Sequence, residues 1–110
     1  MTIIEEILQE RFKQDTKWGI QNWSSVDEFW LENASSNYLC NVIYQIPNEI
    51  EAKKLCDEAT KNNKLTWTHI ATEELAEVVC ANTKEERRKE LVQLAAVIVA
   101  WIESLDRNGK

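Results

Sequence analysis

A chain of 110 residues fits one domain with one core. A formal net charge of −6 argues against nucleic-acid binding through a basic surface, so a polyanionic ligand would need a local device such as a divalent cation. Two glycines and one proline are too few for a turn-rich strand architecture and favour helices.

Thr2 and Glu5 form a helix-opening pair, and Ile3, Ile4, Ile7, Leu8 and Phe12 recur at helical spacing until Gly19. Residues 24–46 read as a variable connection. Ser25 and Glu28 suggest a short helix there, while YLCNVIYQI (38–46) has strand-like composition. After Pro47, Asn48 and Glu51 open a second long helix that carries Ile50, Leu55 and Cys56 towards Asn62-Asn63. Thr66 caps a third, running to about Ala81. Thr83 and Glu86 form a capping box for a fourth, running to about Leu105 ahead of Asn108-Gly109. The expected fold is an all-α bundle of four to five helices forming one domain over 1–110.

Three cysteines (Cys40, Cys56, Cys80) without a C-x-x-C pair fit a reducing cytoplasm better than a disulfide framework or a thiolate zinc site. The N-terminal stretch is charged and amphipathic, unlike a signal peptide, and the apolar run from Leu94 to Ile102 is too short to span a bilayer. A cytoplasmic protein with no membrane partner is expected.

On a helical wheel the third helix gathers Trp67, Ile70, Ala71, Leu75 and Val78 into one apolar arc. Glu74 falls inside that arc, Glu77 on its edge and Glu73 just outside. A buried carboxylate is costly or stays protonated unless a cation or donors meet it. Glu74 and Glu77, three apart, repel each other, and a divalent ion would remove the penalty. On the fourth helix Glu90 and Gln93 are again three apart, just before a run apolar nearly all round, which marks a buried helix. Facing E-x-x-E and E-x-x-Q pairs offer oxygen ligands suited to Mg²⁺, with Mn²⁺ as an alternative, rather than zinc. From the wheel alone, a metal site and a solvated glutamate edge stand level.

Arg87 and Arg88, about a turn before Glu90, could reach phosphates or pair with Glu85 and Glu86 on a solvated face. His69 reads as a surface partner of Glu73 at i,i+4, and Trp101 as core or subunit interface. The apolar surface of the fourth helix exceeds what one small bundle needs, so a homodimer or homotetramer is expected.

EELAE (73–77) followed by ELVQ (90–93) resembles the E-E-x-x-E … E-x-x-D signature of the MazG-like all-α NTP pyrophosphatase superfamily. ERFKQDTKWGIQNW (10–23) and LCDEATKNNKLTWTHIATEELAEVV (55–79) resemble a bacterial and phage subgroup with the pattern E-R-x-x-Q-D-x-K-W-G-x-Q-N, as does ELVQLAAVIVAWIESLDR (90–107). The resemblance covers the first helix and everything from about Glu49 onward, leaving 24–46 aside. It implies an oligomeric helical bundle and Mg²⁺-dependent cleavage of a (d)NTP to the monophosphate and pyrophosphate, which would clean the nucleotide pool. It implies Glu74, Glu77 and Glu90 as metal ligands, with Gln93 where the signature has aspartate, so that one charge is lost. Glu73, the leading glutamate, is then a candidate to orient or deprotonate the attacking water. Lys17, Trp18 and Gln21 fall in the segment that the resemblance sets near the nucleotide, and Arg87 is a candidate for its phosphates. The rival reading is a catalytically weakened helical module that binds a nucleotide or a protein partner.

Overall fold

In the computed structural model, which describes all residues 1–110, six α-helices follow one another and a polar side chain opens each. They are α1 (Ile3–Trp18), α2 (Glu28–Asn33), α3 (Ser36–Tyr38), α4 (Glu49–Lys61), α5 (Trp67–Cys80) and α6 (Lys84–Asn108). Thr2, Asp27, Ser35, Asn48, Thr66 and Thr83 each accept from a backbone N–H of the helix that follows, satisfying donors that the first turn leaves free. Two glycines close the outer helices, Gly19 at φ +70° after α1 and Gly109 at φ +68° after α6, conformations that cost a Cβ-bearing residue. No strand is present, and no helix is long and apolar enough to cross a membrane.

The four long helices match the sequence expectation, except that α6 runs one turn beyond Leu105. The connection does not. The short helix starts at Glu28 with Asp27 as its cap rather than Ser25. The expected strand is α3 continuing into a π-helical turn over Leu39–Ile43, closed by the Tyr44 N–H donating to the Leu39 carbonyl at 2.9 Å. Strand-like composition lost to burial: the turn presses Leu39 and Cys40, 4% and 0% exposed, against the end of α5. Gln45, at φ +55°, ends it.

Three antiparallel helices position the site. α4 and α5 form one hairpin, in which the Cys56 thiol donates to the His69 carbonyl at 3.2 Å. α5 and α6 form a second, with only residues 81–83 between them. α5 therefore lies between two neighbours, and its buried residues are Ala76, Val78 and Cys80, while Leu75 from the expected apolar arc is 39% exposed. α1 rests on α6, with Ile3, Ile7 and Ile102 lining a shared cleft.

Asn48 links the connection to α4. Its side-chain oxygen accepts from the Glu51 N–H at 2.9 Å, its amide donates to Asn41 Oδ1 at 3.2 Å, and Glu51 returns a bond to the Asn48 N–H. Asn48 is the one buried polar residue. Asn48→Ala is expected to cost about 2 kcal/mol in denaturant unfolding, against about 0.5 kcal/mol for Thr2→Ala at the exposed start of α1.

Only 10 of 110 residues are buried, and none of them lies in α1 or α6. The expectation that α6 is buried is therefore corrected for the single chain: Leu91, Val92, Ile98 and Leu105 are 43–57% exposed. Accessible surface is 8480 Å², against about 6300 Å² for a compact monomer of this mass. The radius of gyration is 16.0 Å, where about 13 Å is usual for this length.

Candidate metal centre

The α5–α6 hairpin brings together the carboxylates of Glu74, Glu77 and Glu90, with one oxygen of each within 4.8 Å of the others. Spacing and pairing cause this together. Glu74 and Glu77 project one turn apart from α5, and the short link at 81–83 sets the first turns of α6 against the last turns of α5. Arg87 fastens that register, donating from Nε to the Val78 carbonyl at 3.2 Å and from Nη2 to the Ala81 carbonyl at 2.8 Å. It thus serves orphan carbonyls at the end of α5 with two of the five N–H donors of its guanidinium.

No cation offsets the three acids within the chain. The protein's ion pairs are Arg11–Asp15 and Lys13–Glu10, both on α1. One oxygen of Glu74 and one of Glu90 are buried with no hydrogen-bond partner. Burial, and then the charge of Glu90, raise the pKa of Glu74. Burial, a hydrogen bond shared with Glu90 and the surrounding carboxylates push Glu77 up to about 7. Orphaned acceptor oxygens around a common space, with no donor to meet them, are the donor set that a hard divalent cation takes.

A stability consequence follows from linkage. Glu77 holds its proton to about pH 7 in the native state and only to about pH 4.5 when unfolded. Between those values the native state binds more protons, so ∂ΔG/∂pH of unfolding is negative. Metal-free protein is thus expected to lose stability as pH rises from about 5 to 7.5, and saturating Mn²⁺ to flatten that slope, in thermal melts across the range. Because proton and ion compete, Mn²⁺ affinity should rise about tenfold from pH 6 to pH 8.

An adjoining cleft of about 320 Å³ is lined by Glu77 and Glu90 together with Glu49, Cys80, Ala81, Asn82 and Glu86. Glu49 and Glu86 were not foreseen as part of a site. Glu86 showed only its capping role, and in the structure its carboxylate accepts from the Asn82 N–H at 3.1 Å instead of from the cap residue Thr83. Glu49, in the first turn of α4, carries no sequence signal, since only tertiary folding sets it beside α5.

The other predicted residues are placed as follows. Gln93 is exposed and outside the cleft. Glu73 is half-buried and faces α4, where it lies beside Cys56. The Cys56 thiol is pushed up to about 12 by burial and then by that carboxylate. Glu73 nevertheless lies close enough for its charge to raise Glu74 and Glu77. Lys17, Trp18 and Gln21 are exposed at the end of α1 and just beyond it, and none lines the acidic cleft. Lys17 Nζ sits 4.6 Å over the Trp18 ring, a cation–π pair within the chain. His69 does not pair with Glu73; its Nδ1 lies 2.7 Å from the Thr66 hydroxyl and accepts from the Thr66 N–H at 3.2 Å, completing a capping box. Cys40 and Cys80, apart in sequence by 40 positions, bring their thiols to 3.2 Å in the core. Burial first, then Cys40, pushes the Cys80 thiol up to about 12, so it acts as a small apolar side chain.

Fold and site together define an all-helical protein with three clustered glutamates on one helical hairpin. Comparison with protein-family models, with curated proteins and with solved structures finds no match to the chain.

Proposed function

We propose that the protein is a Mg²⁺-dependent nucleoside triphosphate pyrophosphohydrolase, cleaving a (d)NTP to the monophosphate and pyrophosphate. One observation carries the reading: three half-buried glutamates converge within 4.8 Å, two of them with a buried oxygen that nothing in the chain satisfies. The resemblance of EELAE and ELVQ to the MazG-like signature supports it from the sequence side. Glu74, Glu77 and Glu90 would hold the ion. Bound Mg²⁺ supplies charge neutralisation for phosphate oxygens and lowers the pKa of water. Glu73, adjoining the cluster, would orient the attacking water and take its proton. The charge of the three carboxylates repels a bare triphosphate, so nucleotide binding should require the ion.

The test is a pyrophosphate-release screen over the common NTPs and dNTPs with Mg²⁺ or Mn²⁺, run beside Glu74→Gln and Glu73→Gln. The reading expects release by the native protein, loss in both variants and metal binding retained only by Glu73→Gln. A second reading rests on Gln93, which stands outside the cleft and leaves three carboxylates for the four metal-binding acids of the signature. On that reading the protein binds a nucleotide with Mg²⁺ and does not cleave it. Saturable binding of a non-hydrolysable triphosphate without release of pyrophosphate from any substrate would select it.

The functional unit in this proposal is an oligomer of identical chains, a homodimer or homotetramer. A second copy of the chain is the occupant that the exposed apolar residues of α1 and α6 fit. The accessible surface in excess of a compact monomer, about 2200 Å² per chain, is of the size that obligate homodimers bury.

A further inference from the structure

At the end of the α5–α6 hairpin away from the glutamates lies a cleft of about 890 Å³, lined by Trp67, Trp101, Ser104, Arg107, Asn108 and Lys110 among others. No aspartate or glutamate side chain lines it. In a chain with 19 acidic and 13 basic residues that is exceptional, and four other clefts of the protein each hold at least two. Neither Arg107 nor Lys110 is in an ion pair, since both pairs of the protein belong to α1. The antiparallel register sets Trp67 of α5 opposite Trp101 of α6, and both indoles are half-buried, leaving ring surface to the cleft. Gly109, in the left-handed conformation with its N–H on the Leu105 carbonyl at 2.7 Å, turns the chain at the end of α6 and sets Lys110 on the cleft wall with Arg107.

We infer that this cleft binds a small aromatic anion, an aromatic ring bearing a phosphate, sulfonate or carboxylate group. The ring packs on Trp67 and Trp101, and the anionic group meets Arg107 and Lys110, while Ser104 and Asn108 offer polar contacts at the rim. The volume lies in the range of small-ligand pockets, and a net charge of −6 disfavours a long polyanion. The site uses none of the three glutamates, so it stands apart from the proposed hydrolase reading and needs no divalent ion.

The test is equilibrium dialysis of AMP against protein freed of divalent ions, where the glutamates repel phosphate and hold no cation that could bind it. AMP is expected to bind saturably, and adenosine and inorganic phosphate each at least tenfold more weakly. Arg107→Glu should weaken AMP at least tenfold, and so should Trp101→Leu with helix content preserved by circular dichroism. Lys61→Glu, which makes the same charge change on α4, should leave the affinity within twofold, and Glu77→Gln should not weaken it. Absence of saturation at millimolar AMP, equal binding of adenosine, or indifference to Arg107→Glu overturns the inference. Preference for a single-stranded oligonucleotide over AMP overturns it as well, by assigning the cleft to nucleic acid.

Discussion

Glu77→Gln is expected to move stability and metal binding in opposite directions. In metal-free protein at pH 8 the substitution removes a charge from a cluster that no cation offsets, so thermal stability should rise, by about 1 kcal/mol after allowance for the half-exposed site. With Mn²⁺ present the order reverses. Loss of one of three carboxylate ligands should weaken the ion about a hundredfold, and pyrophosphate release should fall by at least the same factor, about 3 kcal/mol of transition-state stabilisation. Melts with and without Mn²⁺ therefore cross over between native protein and variant. Glutamates on a solvated edge predict neither effect, since a single exposed substitution lies within about 0.5 kcal/mol.

Phe12→Glu on α1 and Ile98→Glu on α6 should each dissociate the proposed oligomer. Both side chains are exposed in the chain, at 73% and 43%, on helices with no buried residue of their own. Burying such a side chain contributes about 1.5–3 kcal/mol, and two-fold symmetry counts it twice. Association should thus weaken by more than about a hundredfold in each variant. Helix content should fall with dissociation, because a chain burying only 10 of 110 residues has little core to stand on alone. Light scattering and circular dichroism over a dilution series read both effects. A native protein of monomer mass at every concentration contradicts the oligomer.

Local signals carried most of what was legible in the sequence. Thr2, Asn48, Thr66 and Thr83 announce their helices because a cap is made by residues within one turn. Glu74, Glu77 and Glu90 were legible for a related reason: two share a helix face, and a three-residue link makes the third a neighbour. What was misread depends on distant partners. YLCNVI (38–43) is helical because α5 covers Leu39 and Cys40, which composition does not record. α6 carries a run apolar nearly all round, and within one chain α5 and α1 leave its Leu91, Val92, Ile98 and Leu105 43–57% exposed. Glu49 enters the acidic cleft only through the α4–α5 hairpin. The hydrogen bonds of Arg87 to the Val78 and Ala81 carbonyls ending α5 likewise depend on the α5–α6 pairing.

The central claim is that a divalent cation sits between α5 and α6. Its most direct measurement is a titration of Mn²⁺ into metal-free protein at pH 8, with free ion followed by electron paramagnetic resonance. The account predicts saturable uptake by the native chain and by Glu5→Gln on α1, and loss of that uptake in Glu74→Gln, Glu77→Gln and Glu90→Gln. Native protein that leaves millimolar Mn²⁺ free in solution, or three variants that bind as the native chain does, would contradict it.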